Sequence, residues 1–316
     1  MEKLKIVFMG TPEFAVGILD SIVQQGKHEV VGVITAADKP AGRGQKIKYS
    51  AVKEFALAHG LTLLQPTNLK SEEFLSELAS LKANLQVVVA FRMLPKVVWA
   101  MPKFGTFNLH ASLLPNYRGA APINWAIING ETKTGVTTFF IDDKIDTGAM
   151  ILKKETPIGE TESAGQLHDR LMNLGCETVL ETLELISEGK ATSTIQQDTP
   201  DIKTAYKLDR ENCKIDFSKS LEEIFNLIRG LSPYPAAYCN FKDGDSDWNV
   251  KIYEAEKVSE SHSLENGKVV VTKKEMKIAV NGGFIKVLSI QFPGKKRMNI
   301  QELLNGMVFS EDVKAY

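Results

Sequence analysis

The feature that most constrains this chain is how its first half alternates between short, almost wholly apolar runs and longer stretches of helical periodicity. Residues 5–9 and 85–90 are of the first kind, and the latter run, LQVVVA, carries Gln86 as its one polar side chain. A strand covered on both faces has this composition. Further runs at 30–35, 62–64 and 105–109 read as strands, and residues 13–25, 51–59 and 71–79 as the helices between them. Alternation of this kind predicts a parallel sheet with crossover helices, a Rossmann-like α/β domain. Ligands of such sheets sit outside the carboxyl ends of the strands.

The pattern then changes twice. Residues 134–141 and 150–156 look like strands flanking an Asp/Gly-rich loop, and 164–188 is a long helical run. Residues 191–206, dominated by small polar side chains and Pro200, read as a linker rather than a packed element. Beyond it come one helical stretch, 220–229, and short runs at 237–241, 250–255, 268–272, 276–280 and 285–291, separated by Gly- or Asp-rich turns. Regular short strands predict a small antiparallel OB-like β-barrel. The 316 residues therefore divide into an α/β domain over 1–190, a linker over 191–206 and a barrel domain over 207–316.

Composition excludes several classes. The formal net charge is −1, so any nucleic-acid binding has to come from local basic patches. The 3 cysteines, Cys176, Cys213 and Cys239, show no C-x-x-C spacing, which argues against a disulfide framework or a zinc cage. The N-terminus reads straight into a strand, and no apolar run approaches the ~18 residues of a membrane span. The cytoplasm is the expected location, with no membrane partner.

Chemistry is suggested at two places. In the segment 108–119, Asn108 and His110 alternate at strand spacing, so both side chains point to one face. An imidazole beside a carboxamide pairs a proton-transfer group with a donor for a developing oxyanion. Asp146 lies in a turn, DDKIDTG, over residues 142–148. Each feature alone is also ordinary structural chemistry, a satisfied strand end and a turn carboxylate.

Together they form a pattern. Asn108-x-His110, Ser112-Leu113-Leu114-Pro115, Tyr117-Arg118-Gly119-x-x-Pro122 and Asp146-Thr147-Gly148 resemble the folate-dependent formyltransferase superfamily. The resemblance implies that Asn108, His110 and Asp146 are the catalytic trio and that Ser112, Leu113, Leu114 and Pro115 line the folate site. It also implies that Arg92, Met93 and Leu94 offer their backbone to the pterin. The formyl donor it implies is 10-formyltetrahydrofolate, a co-substrate, with no metal. Asp146 would favour the charged form of His110 and accept the proton of the attacking amine. Many relatives carry Ala-Tyr-Gly-x-Ile-Leu-Pro after the fourth strand, where this chain reads Ala90-Phe91-Arg92-Met93-Leu94-Pro95.

Three segments distinguish branches of the superfamily. A phosphate cradle at the first loop needs converging N–H groups, but Pro12 has none and Glu13 repels phosphate. The stretch 8–15, FMGTPEFA, instead resembles the methionyl-tRNA formyltransferase branch. Lys39, Arg43, Lys46 and Lys48 make a basic loop at the place where that branch inserts one into the tRNA acceptor stem. Lys268, Lys273, Lys274, Lys277, Lys286, Lys295, Lys296 and Arg297 outnumber Glu275 over residues 268–297. Lys295, Lys296 and Arg297 are the cations expected to follow tRNA phosphates. The resemblance implies an enzyme that formylates the α-amine of initiator methionyl-tRNA, and a monomer is expected. Two alternatives stay open: a formyltransferase acting on a small amine or amino sugar, and a non-enzymatic tRNA-binding module.

Overall fold

A computed structural model of the chain describes residues 2–41 and 46–316, with the side chains of 39–41 and 46–47 outside the description. The chain divides into two compact units that do not follow chain order. One holds residues 1–119, 134–156 and 168–204, and the other 120–133, 157–167 and 205–316.

The first unit is built on a seven-stranded sheet. Its central strands, Lys5–Gly10 and Leu85–Val89, pair in parallel, with Ile6 opposite Leu85. Glu29–Ile34 and then Leu63–Leu64 extend the parallel sheet on one side, and Thr106–His110 on the other. The chain thus runs outward from Lys5–Gly10 in one direction and returns to build in the other. The crevice outside Gly10 and Val89 is therefore a topological switch point. Every residue of Leu85–Val89 is buried. Gln86 is tolerated there because its Oε1 accepts from Thr106 Oγ1 at 2.9 Å, which satisfies a polar group out of reach of water. Each buried Ile, Leu or Phe of this core stabilises by about 1.5–3 kcal/mol relative to exposure.

The helix Glu13–Gln25 follows at once, with Phe14, Ala15, Ile18, Leu19 and Ile22 on its buried face. It stops at Gly26, whose φ of 65° is the left-handed conformation that ends helices. Gly10 is needed just before it: a Cβ there would stand 2.5 Å from Ala15 Cβ and 2.9 Å from the Val89 carbonyl oxygen.

Two features depart from the sequence reading. The sheet is not parallel throughout, because Lys133–Phe140 joins Thr106–His110 antiparallel, with His110 opposite Thr137. The stretch read as a linker is also tied down. Thr194 bridges Met150 with mutual 2.8 Å backbone bonds, and Gln196 is buried. A run of small polar residues reads as a linker only while its hydrogen-bond partners, far away in sequence, are unseen.

In the second unit an antiparallel sheet runs in the order Val269–Val271, Met276–Val280, Gly283–Gln291, Ser246–Val258, Ala237–Asp243, Lys314–Ala315. Its edges approach each other through a Lys268–Lys314 bridge, which leaves a nearly closed barrel. The interior holds Phe241, Val250, Ile252, Ile278, Ile285 and Ile290, all fully buried. The helix Leu221–Leu231 packs onto this core, its start fixed by a capping box between Ser220 and Glu223. The short helix Pro122–Ile128 joins the unit through Asn124 Nδ2, which donates to the Gly230 carbonyl at 2.7 Å.

Candidate active site

Thr106–His110 carries two of the expected residues at its carboxyl end. His110 is buried, and Asn108 is half-buried on the same face. The His110 Nε2–H donates to the Tyr117 carbonyl at 2.7 Å. Nδ1 is thereby left facing Asp146, whose Oδ2 lies 3.8 Å away. That separation is beyond a hydrogen bond, and sites without substrate are often loose in this way. Asn108's carboxamide makes no hydrogen bond with any described residue, so its donors are available to a bound oxygen.

The segment after the strand holds this geometry. Tyr117 sits at φ 62°, a strained value for a residue with a Cβ, and so turns its carbonyl to His110. Its N–H donates to the Lys203 carbonyl at 2.5 Å. Ser112 Oγ donates to the Asn116 carbonyl at 2.7 Å. Thr137 Oγ1 donates to the Ser112 carbonyl and accepts from Leu114 N–H. Lys153 Nζ donates to the Leu114 carbonyl at 3.0 Å.

Asp146 comes from the other side. It lies at φ 55°, and its Oδ2 accepts the Gly119 N–H at 2.9 Å. Asp142 ties the turn together by accepting from Lys144 N–H and Thr147 Oγ1. Gly148 is required, since a Cβ there would stand 1.6 Å from the Phe140 carbonyl oxygen. Gln196 Nε2 donates to the carbonyls of both Asp146 and Gly148, and its Oε1 accepts from Arg118.

The structure thus brings Asn108, His110 and Asp146 together. The other expected residues divide. Ser112 and Leu114 are fully buried, and only Leu113 and Pro115 are half-exposed, so the pair inside shapes the loop while the other two can line a ligand. Leu94 is buried and Met93 is 63% exposed. The Arg92 guanidinium donates to the carbonyls of Pro66 and Thr67, fastening two loops. Arg43 lies outside the described residues, and Lys39 and Lys46 are described only as members of the strands Lys39–Ala41 and Lys46–Lys48. Lys48 is exposed.

In the barrel, Arg297 is exposed, but its guanidinium is engaged by partners within the chain. It pairs with Glu254, donates Nε–H to Ser289 Oγ at 2.8 Å and lies 4.6 Å over the Tyr253 ring. Lys295 and Lys296 are exposed. Thr137, Lys153 and Gln196 escaped the sequence reading. Only Arg118, quoted within the motif but given no role, left a signal.

Comparison with known proteins accords with this geometry. Residues 4–183 match the formyl transferase family and 207–308 the formyl transferase C-terminal domain. A sugar 3N-formyl transferase solved with dTDP and 5-N-formyl-THF shares the fold (TM-score 0.63, 22% identity, 94% of this chain and 100% of that one). So does an N-formyltransferase from Helicobacter canadensis (TM-score 0.63, 21% identity, 90% of this chain and 98% of that one). Fold and site together define a formyl transferase.

Within that class the full-length similarity is narrower. The chain is 73% identical to the methionyl-tRNA formyltransferase of Flavobacterium psychrophilum over 98% of both chains, and 71% identical to that of Flavobacterium johnsoniae over 100% of both. It belongs to the methionyl-tRNA formyltransferase family.

Proposed function

We infer that this enzyme transfers the formyl group of 10-formyltetrahydrofolate to the α-amine of methionyl-initiator-tRNA, in support of translation initiation. The observation that carries the chemistry is the convergence of Asn108, His110 and Asp146 at the carboxyl edge of the sheet, beside the switch-point crevice. The donor supplies an activated formyl carbon. The residues after Leu85–Val89 suit its flat, hydrogen-bonding ring. Among the described residues, the main-chain N–H and C=O groups of Arg92, Met93 and Leu94 make no hydrogen bond, and such groups seek partners.

The trio divides the work as follows. Asn108 donates to the oxygen that gains negative charge when the amine adds to the formyl carbon. With the Nε2–H held by Tyr117, the proton that His110 gives to substrate has to leave from Nδ1, the nitrogen facing Asp146. From there it is given to the developing oxyanion. Asp146, directly or through water, accepts the proton that the amine must lose and passes it to the donor nitrogen as the C–N bond breaks, while the hydroxyl proton of the adduct returns to His110 as the C=O bond re-forms.

For tRNA, the paired strands Lys39–Ala41 and Lys46–Lys48, with Arg43 between them in sequence, are the candidate contact of the first unit. In the barrel we take a set that overlaps the one expected from sequence. Lys277 and Lys286 are paired with Glu275 and Glu256, and Lys268 donates to the Glu311 carbonyl. Lys273, Lys274, Lys295 and Lys296 are exposed. Because Met276 pairs with Val287, the turns bearing these four lysines lie at one end of the sheet. They, rather than Arg297, are the cations we assign to tRNA phosphates.

The trio is tested by substitution. His110→Ala and Asn108→Ala should each lower turnover by about 10²–10⁴-fold with the thermal midpoint kept. Wild-type turnover in either variant removes that residue from the mechanism.

A further inference from the structure

We propose that Gln196, held by Arg118, is a positioning residue for Asp146, fixing the 146–148 turn and with it the place of the carboxylate relative to His110. The proposal rests on the reading of Asp146 as the proton acceptor.

Asp146 at φ 55° lies in the left-handed region, which Asp tolerates better than most residues with a Cβ but still at a cost. What keeps it there is a circuit of hydrogen bonds. Gln196, 8% exposed, donates both amide hydrogens, one to the Asp146 carbonyl at 2.9 Å and one to the Gly148 carbonyl at 2.8 Å. Both ends of the strained turn are thereby gripped by one side chain. The amide cannot flip, because its Oε1 accepts from Arg118 Nε at 3.0 Å and Nη2 at 2.8 Å. Two N–H donors facing an amide nitrogen would be left without an acceptor. Arg118 is itself braced by Asp198, 2.7 Å from Nη1.

The next residue closes the circuit, since Gly119 N–H donates to Asp146 Oδ2 at 2.9 Å. Arg118 thus reaches the main chain of Asp146 through Gln196, while its neighbour holds the carboxylate directly. The Asp146 side chain is 16% exposed and stands 3.8 Å from His110 Nδ1. A small rotation of the turn therefore moves the carboxylate relative to His110 and to the amine whose proton it accepts. Charge-assisted, buried bonds of this kind orient a working group without touching substrate.

The test is a double-mutant cycle in full-length enzyme, with single-turnover rates at saturating donor and charged tRNA. Gln196→Met should slow transfer about 10–100-fold while KM for both substrates stays within about twofold. Gln196→Glu should slow it as much, because it keeps the bond to Arg118 but presents lone pairs to two carbonyl oxygens. In an Asp146→Asn background, Gln196→Met should change the residual rate less than about twofold, since its effect runs through the missing carboxylate. Should the Gln196 variants lose their fold by thermal midpoint, Arg118→Lys reads the same coupling, because it keeps the charge and gives up the paired grip on Oε1. A wild-type rate in Gln196→Glu, or equal losses with and without Asp146, overturns the proposal. A wild-type rate in Asp146→Asn alone overturns the role of Asp146 itself, and that single variant tells the two failures apart.

Discussion

At the scale of residues, the site separates groups that face the reaction from groups that hold them. Of the side chains converging here, Asn108's carboxamide and the Nδ1 edge of His110 are left for a substrate. Tyr117, Thr137, Lys153, Gly119 and Gln196 give their bonds to protein partners. The convergence of the trio was legible because its spacing matched a known motif. Gln196 was not, because its partners lie 48 and 50 positions away. A second buried histidine makes a stability prediction. His28 Nδ1 accepts from Leu4 N–H, so its proton sits on Nε2, which is buried and has no partner. Burial holds the imidazole below its ordinary value, helped by Lys27 and Lys3 and opposed by Glu184. A lowered folded-state pKa means this contribution is complete above the unfolded value of about 6.5 and is lost as pH falls through the folded one. The thermal midpoint of the wild type should therefore drop more steeply than that of His28→Gln when pH is lowered from about 7.5 to 5.5. Parallel curves would show that His28 does not titrate on unfolding.

At the scale of elements, legibility followed periodicity and length. Glu13–Gln25 and Met276–Val280 match their sequence readings to the residue, since each carries a clean apolar face between unmistakable breakers. The helices Pro122–Ile128 and Ile300–Gly306, of 7 residues each, are too short to show a period. Strand direction was hidden as well, because an apolar run looks the same in either sense. The paired strands Lys39–Ala41 and Lys46–Lys48 gain their setting from the residues that flank them. Lys53 Nζ lies 2.5 Å from Asp38 Oδ2 and 3.8 Å over the Tyr49 ring, while Gln65 Nε2 donates to Asp38 Oδ1. Lys53, and then Gln65, hold the Asp38 carboxyl below its usual range. Lys53→Met should release the residues flanking both paired strands and raise KM for tRNA by up to about tenfold, with KM for the folate donor unchanged. Equal rises in both constants would mean that these flanking residues also shape the donor site.

At the scale of the whole molecule, the chain joins a unit that holds the trio to one in which Lys273, Lys274, Lys295 and Lys296 lie at one end of a sheet. With a net charge of only −1, its attraction for tRNA has to be local. Neutralising Lys273, Lys274, Lys295 and Lys296 together should raise KM for tRNA at little change in maximal rate. It should also flatten the salt dependence of that constant, by about one log-log unit for each phosphate no longer neutralised. Arg297→Ala should leave that slope alone, and an unchanged slope in the quadruple variant would put the four lysines off the tRNA path. The central claim concerns the acceptor, and one measurement addresses it most directly. Purified enzyme is given 10-formyltetrahydrofolate with charged initiator tRNA and a dTDP-amino sugar in the same tube, and the formylated products are separated. The account predicts formylmethionyl-tRNA, with its yield abolished when the tRNA is left uncharged. Formylation of the sugar with the methionyl-tRNA untouched would contradict it.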